Sequence, residues 1–171
     1  RVEAGDGNNI VIGDNGEIFA AALDIPNQLL VLGMLQSMPS TSLIGGSDSI
    51  ITGIGADIII GGIDADTIFA SEGDNIVIGD SGLVDWTAAE RGGTRAGDDT
   101  NPNDIDRLLS VDEDHGGNDI ITTGAGNDMI IGGEDGELIT EVDIDGNALT
   151  TNEVVADATD GDIIEAGDGN N

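Results

Sequence analysis

Eight residues with oxygen-bearing side chains recur at one place in a nine-residue block: Asn9, Asp48, Asp57, Asp66, Asn75, Asp119, Asp128 and Asp162. Each is the sixth residue of its block. Two positions later stands a Val or Ile every time: Val11, Ile50, Ile59, Ile68, Val77, Ile121, Ile130 and Ile164. Carboxylates and amides offer hard oxygen atoms, and the chemistry open to them in such numbers is coordination of a hard cation. With backbone carbonyls converging between stacked turns, they make an all-oxygen cage. That suits Ca²⁺, which takes six to eight oxygens, rather than Zn²⁺, which prefers nitrogen and sulfur. Asp14 and Asp80 stand in modified turns, "IGDNG" and "IGDSG", and either join the cation sites or are simply solvated. Catalysis finds no comparable support. His115 is the single histidine, no nucleophile–histidine–acid set can be assembled, and the H-E-x-x-H pattern is absent. The chain reads as no enzyme.

Such a ladder needs elements that repeat at the same interval. Four blocks run without a break over 43–78, "LIGGSDSII", "TGIGADIII", "GGIDADTIF" and "ASEGDNIVI". "DHGGNDIIT" and "TGAGNDMII" cover 114–131, and "AGDGNNIVI" and "DATDGDIIE" begin at Ala4 and Asp157. Glycines early in the block permit positive φ and a tight turn. The β-branched triplet after them suits a short strand whose middle side chain points inward. Two turns and two strands make one coil, so the fold class is all-β, a parallel β-solenoid. Turns two blocks apart then lie one above the other.

These blocks resemble the RTX nonapeptide, G-G-x-G-x-D-x-U-x, of the calcium-binding β-roll family. "TGAGNDMII" and "TGIGADIII" match it closely, whereas "GGIDADTIF" and "DATDGDIIE" lack the fourth-position glycine. The resemblance implies secretion from a Gram-negative bacterium, several bound Ca²⁺ ions, and folding that waits for calcium outside the cell.

The period breaks three times, at about 13–42, 79–113 and 132–156, each time after a related turn. Each break reads as a strand out, a polar tip and a strand back: three hairpin-like widened coils within a single solenoid unit spanning 1–171. The heptapeptide "EAGDGNN" at 3–9 returns at 165–171, an offset of 162 residues. Counting eleven block starts and three tips as turns gives seven coils per period, a rise of roughly 33 Å at about 4.8 Å per strand. On that count the turns of Asp48, Asp66, Asp119 and Asp162 stack as one unbroken ladder. Asp57 pairs with Asn75 on the other side, and Asp128 has no directly adjacent turn. Block positions seven and nine, among them Ile10, Ile12, Ile58, Ile60, Ile76 and Ile78, face outward and are apolar. The hairpin wings are expected to cover them, with lateral association of rods as the alternative. Trp86 is expected to pack in the second wing, where Arg91, Arg95 and Arg107 also cluster.

Composition narrows the partners. Thirty-five acidic residues face four basic ones, a formal charge of −31. Self-repulsion on this scale opposes a compact state unless cations neutralise it, yet hydrophobic residues make up 38%, too many for a disordered chain. Nucleic acid and anionic membranes are poor partners, and no apolar run is long enough to span a bilayer. Cysteine is absent. The expected function is a calcium-dependent structural repeat of an extracellular stalk, fibre or adhesin, at a cell surface or in a matrix. Its partners would be neighbouring copies, met end to end or side by side. The alternative is a calcium-binding carrier domain of a secreted enzyme or toxin.

Overall fold

A computed structural model describes residues 1–22, 25–38, 44–112, 115–133 and 161–171. Its turns are made where the glycine spacing predicts. Gly73 adopts a φ of 133°, and a Cβ there would run into the Gly55 carbonyl of the neighbouring coil, so only glycine fits. In the block that lacks this glycine, Asp64 takes its place with φ 68°, a left-handed geometry that Asp tolerates.

Between the turns run short strands. In chain order they are β1 (Val2–Gly5), β2 (Ile10–Ile12), β3 (Gly16–Ala20), β4 (Leu32–Ser37), β5 (Ser49–Thr52), β6 (Ile58–Ile60) and β7 (Thr67–Ala70). Then follow β8 (Ile76–Ile78), β9 (Gly82–Asp85), β10 (Arg107–Ser110), β11 (Ile120–Thr123), β12 (Met129–Ile131) and β13 (Ile163–Glu165). Two parallel sheets form the solenoid. One has the order β1-β5-β7-β11-β13 and the other β12-β8-β6-β2. The register keeps block position eight in columns: Ile50, Ile68, Ile121 and Ile164 across the first sheet, and Val11, Ile59, Val77 and Ile130 across the second. The two columns meet as the inner core of Val11, Ile50, Ile59, Ile68, Ala70, Val77 and Ile121. A parallel β-solenoid is what the chain forms.

A third, antiparallel sheet has the order β10-β9-β4-β3. The first excursion supplies the hairpin β3–β4 and the second supplies β9–β10. The two hairpins join edge to edge, with Leu35 opposite Val84. The third excursion lies almost wholly outside the described residues. Leu35, Val84 and Trp86 of this sheet pack with Ile60 and Ile78, and with the partly buried Ile12, Ile58 and Ile131, into a second core. The wings therefore cover Ile12, Ile58, Ile60 and Ile78 of the β2-β6-β8-β12 sheet, while Ile10 stays 39% exposed. The outer face of the other parallel sheet stays open, with Phe69 45% and Ile120 45% exposed.

The coil count differs from the sequence expectation. β13 stands one period after β1, and only β5, β7 and β11 come between them in the sheet, so 162 residues make four coils rather than seven. The rise per period is then about 19 Å at ~4.8 Å per coil. The reason lies in hairpin geometry: a hairpin returns to where it left and uses up no turn. Asn15 Nδ2 donates to the Ile44 carbonyl at 3.3 Å, and the Met38 amide donates to the Asn15 carbonyl at 2.9 Å. At the second wing the Val111 amide donates to the Ser81 carbonyl at 2.9 Å. Each of these two wings thus branches from a single turn, and the blocks on either side of it are two halves of that turn.

Candidate metal centre

The sixth-position residues fall into two ladders, one on each side of the solenoid, and each ladder is tied by the same bond. On the first side the Asp48 amide donates to Asp66 Oδ1 (2.6 Å), Asp66 to Asp119 Oδ1 (2.7 Å) and Asp119 to Asp162 Oδ1 (2.7 Å). On the second the Asn9 amide donates to Asp57 Oδ1 (2.8 Å), Asp57 to Asn75 Oδ1 (3.1 Å), Asn75 to Asp128 Oδ1 (2.9 Å) and Asp128 to Asn171 Oδ1 (3.0 Å). The first ladder is the one expected from sequence. The second corrects the expectation for Asp128. It has turns directly above and below it, because counting wing tips as turns had put false gaps on that side. Asn171, one period after Asn9, belongs to the same ladder.

These bonds use one oxygen of each carboxylate. The other, Oδ2 of Asp57, Asp66, Asp119 and Asp128, is buried with no hydrogen-bond partner among the described residues. A buried carboxylate oxygen left unpaired is costly, on the order of several kcal/mol for an ion, and this one recurs at three successive coils. On the first side the same oxygen lies against carbonyls. The space a Cβ on Gly61 would take is bounded by Asp66 Oδ2 and the Gly79 carbonyl. That beside Gly79 is bounded by Asp119 Oδ2 and the Gly132 carbonyl, and that beside Gly13 by Asp48 Oδ2 and the Gly61 carbonyl. Carboxylate and carbonyl oxygens thus converge at three successive coils.

Electrostatics on the first side say the same. Burial pushes the Asp66 carboxyl up to about 7, with Asp48, Asp14 and Asp80 adding repulsion. Burial pushes Asp119 up to about 8, with repulsion from Asp80, Asp162 and Asp66. Asp14 is raised too, by its own burial first and then by Asp48 and Asp64. A divalent cation among these oxygens would satisfy the unpaired Oδ2 atoms and relieve the mutual repulsion. Among the described residues no three acidic or histidine side chains meet at one point. A site there would draw on carboxylates from successive coils supplemented by backbone carbonyls, an oxygen-only donor set that fits Ca²⁺.

Asp14 and Asp80 sit where the wings leave the solenoid and hold backbone amides: Asp14 Oδ2 accepts from Ile63 (2.6 Å) and Asp80 Oδ1 from Gly117 (2.8 Å). They brace the divided turns while adding charge to the first ladder. His115 Nδ1 lies 2.9 Å from Asp112 Oδ1 at the base of the second wing. Trp86 is buried in the wing core. Arg91 locks the two wings together. Its Nη1 donates to Asp85 Oδ1 (3.1 Å), Thr87 Oγ1 (2.6 Å) and the Gly33 carbonyl (3.3 Å), and its guanidinium stands 5.9 Å from the Phe19 ring centroid.

Two residues of the site escaped the sequence reading. Thr52 and Thr123 begin blocks on the second side, and their hydroxyl oxygens are buried without a partner. The available signal was composition by side. Blocks on this side with Asp at position six open with Thr, and those with Asn open with Ala (Ala4, Ala70 and Ala166). Sides could not be assigned until the coils were counted correctly.

A family model for the RTX calcium-binding nonapeptide repeat matches the chain in four copies, over residues 1–17, 51–82 and 114–136. No curated protein and no solved structure matches the chain. The matched segments contain sixth-position residues of both ladders. The repeats are calcium-binding structural motifs, and the chain holds Ca²⁺ at several turns. Among the described residues no helix is long and apolar enough to cross a membrane.

Proposed function

The chain carries RTX calcium-binding nonapeptide repeats, and from that premise we propose that it is one unit of a continuous calcium-dependent rod. The rod would serve outside the cell as the stalk or fibre of an adhesin or surface matrix. One observation carries this reading: the sequence period and the coil period coincide. Glu3 and Glu165 occupy equivalent places in β1 and β13, at opposite edges of one sheet. The turn over 166–171 sits on the turn of Asp128, with the Gly126 amide donating to the Asp168 carbonyl at 2.8 Å. The turn over 4–9 is bonded to the turn of Asp57 in the same style, Gly7 donating to the Ile54 carbonyl at 2.8 Å. Whole coils per period allow a following copy to begin in register, with strands extended and both ladders prolonged. Repeats of this kind are typical of secreted proteins, which supports the extracellular placement.

Calcium's part is to neutralise charge at the turns, and binding energy at sites absent from the unfolded chain becomes folding energy. The test is a series of tandem chains with one, two and three copies of residues 4–165, measured in calcium by small-angle scattering. A continuous rod lengthens by about 19 Å per copy, four strand spacings. Copies that tumble as separate lobes would overturn the rod. A scattering profile that is folded and identical in excess chelator would overturn the calcium dependence.

A further inference from the structure

The second ladder alternates along the solenoid: Asn9, Asp57, Asn75, Asp128, Asn171. Four of these groups share one orientation, because in Asp57, Asn75, Asp128 and Asn171 alike Oδ1 accepts the amide of the preceding coil, and Asn9 makes the same amide bonds as Asn75. Asp and Asn are isosteric, so the second atom of each group must fall at one equivalent place inside its turn. In the Asn turns that atom is a donor, and its partners are given. Asn75 Nδ2 donates to the carbonyls of Ser71 (3.0 Å) and Gly73 (3.0 Å) and to Asp128 Oδ1 (3.1 Å). Asn9 Nδ2 donates to the carbonyls of Gly5 (2.9 Å) and Gly7 (2.8 Å) and to Asp57 Oδ1 (3.0 Å). Asn171 Nδ2 donates to the Gly167 carbonyl at 2.6 Å. Reversing the Asn75 amide would set oxygen against two carbonyls and nitrogen against the Asp57 amide, so the network fixes its orientation.

In the Asp turns the equivalent atom is an acceptor. Asp57 Oδ2 and Asp128 Oδ2 are buried and unpaired, and the hydroxyls of Thr52 and Thr123 in the same two turns are buried and unpaired with them. The Asn turns open with Ala and contain no such atoms among the described residues. One kind of turn therefore satisfies its own carbonyls, while the other collects unpaired oxygens.

We propose that on the second ladder the side-chain amides of Asn9, Asn75 and Asn171 stand where a cation would stand, so that calcium enters only the turns of Asp57 and Asp128. The positive end of the amide does the cation's work: in Asn9 and Asn75 it binds the second- and fourth-position carbonyls of its own turn and one carboxylate oxygen of the next coil, and in Asn171 it binds the second-position carbonyl. The first ladder, with Asp48, Asp66, Asp119 and Asp162, has no such substitute. Calcium would then enter every second coil on one side and successive coils on the other. Asn9 and Asn75 become spacers rather than ligands, which separates the two carboxylates by two strand spacings, about 9.6 Å. Thr52 and Thr123 supply a neutral oxygen to the sites that remain.

This inference rests on calcium binding at the turns and is tested by counting ions on isosteric variants. Native mass spectrometry of the full chain in calcium gives the number bound, and far-UV circular dichroism confirms that each variant is folded. Asn75→Asp should bind one ion more than the parent chain. Asp57→Asn and Asp128→Asn should each bind one fewer while keeping the β spectrum. Asn75→Ala should leave the count unchanged. A folded Asn75→Asp chain with the parent count, or an Asn75→Ala chain short of one ion, overturns the proposal. If three successive carboxylates prevent Asn75→Asp from folding, Asp128→Asn decides it: one ion lost supports the proposal, none lost overturns it. A parent chain that binds no calcium at all would instead bring down the calcium reading beneath it.

Discussion

The two ladders share a backbone, a bond pattern and a coil spacing, yet they differ in charge. On the first side every rung is an Asp, and Asp14 and Asp80 add two more carboxylates from the divided turns. On the second side each Asp has an Asn on either hand. The first side accordingly raises the carboxyls of Asp66 and Asp119 to about 7 and about 8, through burial and then mutual repulsion. One fold can thus set its dependence on cations rung by rung. A carboxylate makes a coil conditional on metal, and an amide of the same shape makes it self-sufficient.

The largest effect should come from removing the metal. In excess chelator the first ladder is left with unpaired charge at successive coils, and the chain should pass from β-rich to disordered in far-UV circular dichroism. A spectrum unchanged by chelator would erase the distinction between the ladders. Mg²⁺ should restore folding poorly, since it demands a rigid octahedron at shorter distances.

Next comes truncation of one rung on each side. Asp119→Ala removes a carboxylate flanked by Asp66 and Asp162, and so disturbs the sites above and below it. Asp128→Ala is flanked by the self-bonded Asn75 and by Asn171. In calcium, Asp119→Ala should lower the melting temperature more, with roughly 2–4 °C expected for each kcal/mol of difference in a chain of this size. Equal losses would show the ladders to be energetically equivalent.

Acid should act oppositely with and without metal. In the unfolded chain Asp66 and Asp119 titrate near 3.8, whereas in the metal-free fold they titrate near 7 and 8. A raised folded value means stability fully present below about pH 4 and lost as pH rises through 7 to 8. The chelated chain should therefore gain β structure on acidification from pH 8. With calcium present the ligands must be deprotonated, so calcium affinity should weaken over the same descent. Circular dichroism at fixed free calcium, scanned in pH, checks both signs. Parallel trends in the two conditions would contradict the assignment of the first ladder.

The smallest effect belongs to the wing sheet, which has an apolar core instead of a ladder. Arg91→Ala removes the partner of the buried Asp85 and the bond to the Gly33 carbonyl. The loss should be about 1–2 kcal/mol, with the number of bound calcium ions unchanged. A change in that number would mean that the wings and the metal turns are one cooperative unit.

The sequence alone carries what depends on the nine-residue interval. It set the inward column of Val and Ile, the turn at each block's start, the oxygen donors at position six, and the need for a cation against a charge of −31. These follow from local rules, because a short β-branched strand and a glycine turn are decided within a few residues of themselves. The wings were legible as hairpins for the same reason, as was their cover over Ile60 and Ile78, since outward isoleucines need a covering layer. Which turns stack on one another is settled by long-range closure of the chain. Residues 13–15 and 44–48 read as two turns along the chain, and an antiparallel hairpin closes them into one. Closure of this kind, repeated at the excursions, turns seven coils into four, gives Asp128 its neighbours, and brings Asn9, Asp57, Asn75, Asp128 and Asn171 into one column. The spacing of Asp57 and Asn75 from Asp128 is 71 and 53 residues in sequence but two coils and one coil in space. The contacts of a rung come from the coils beside it, and the lengths of the excursions between those coils are invisible to a nine-residue pattern.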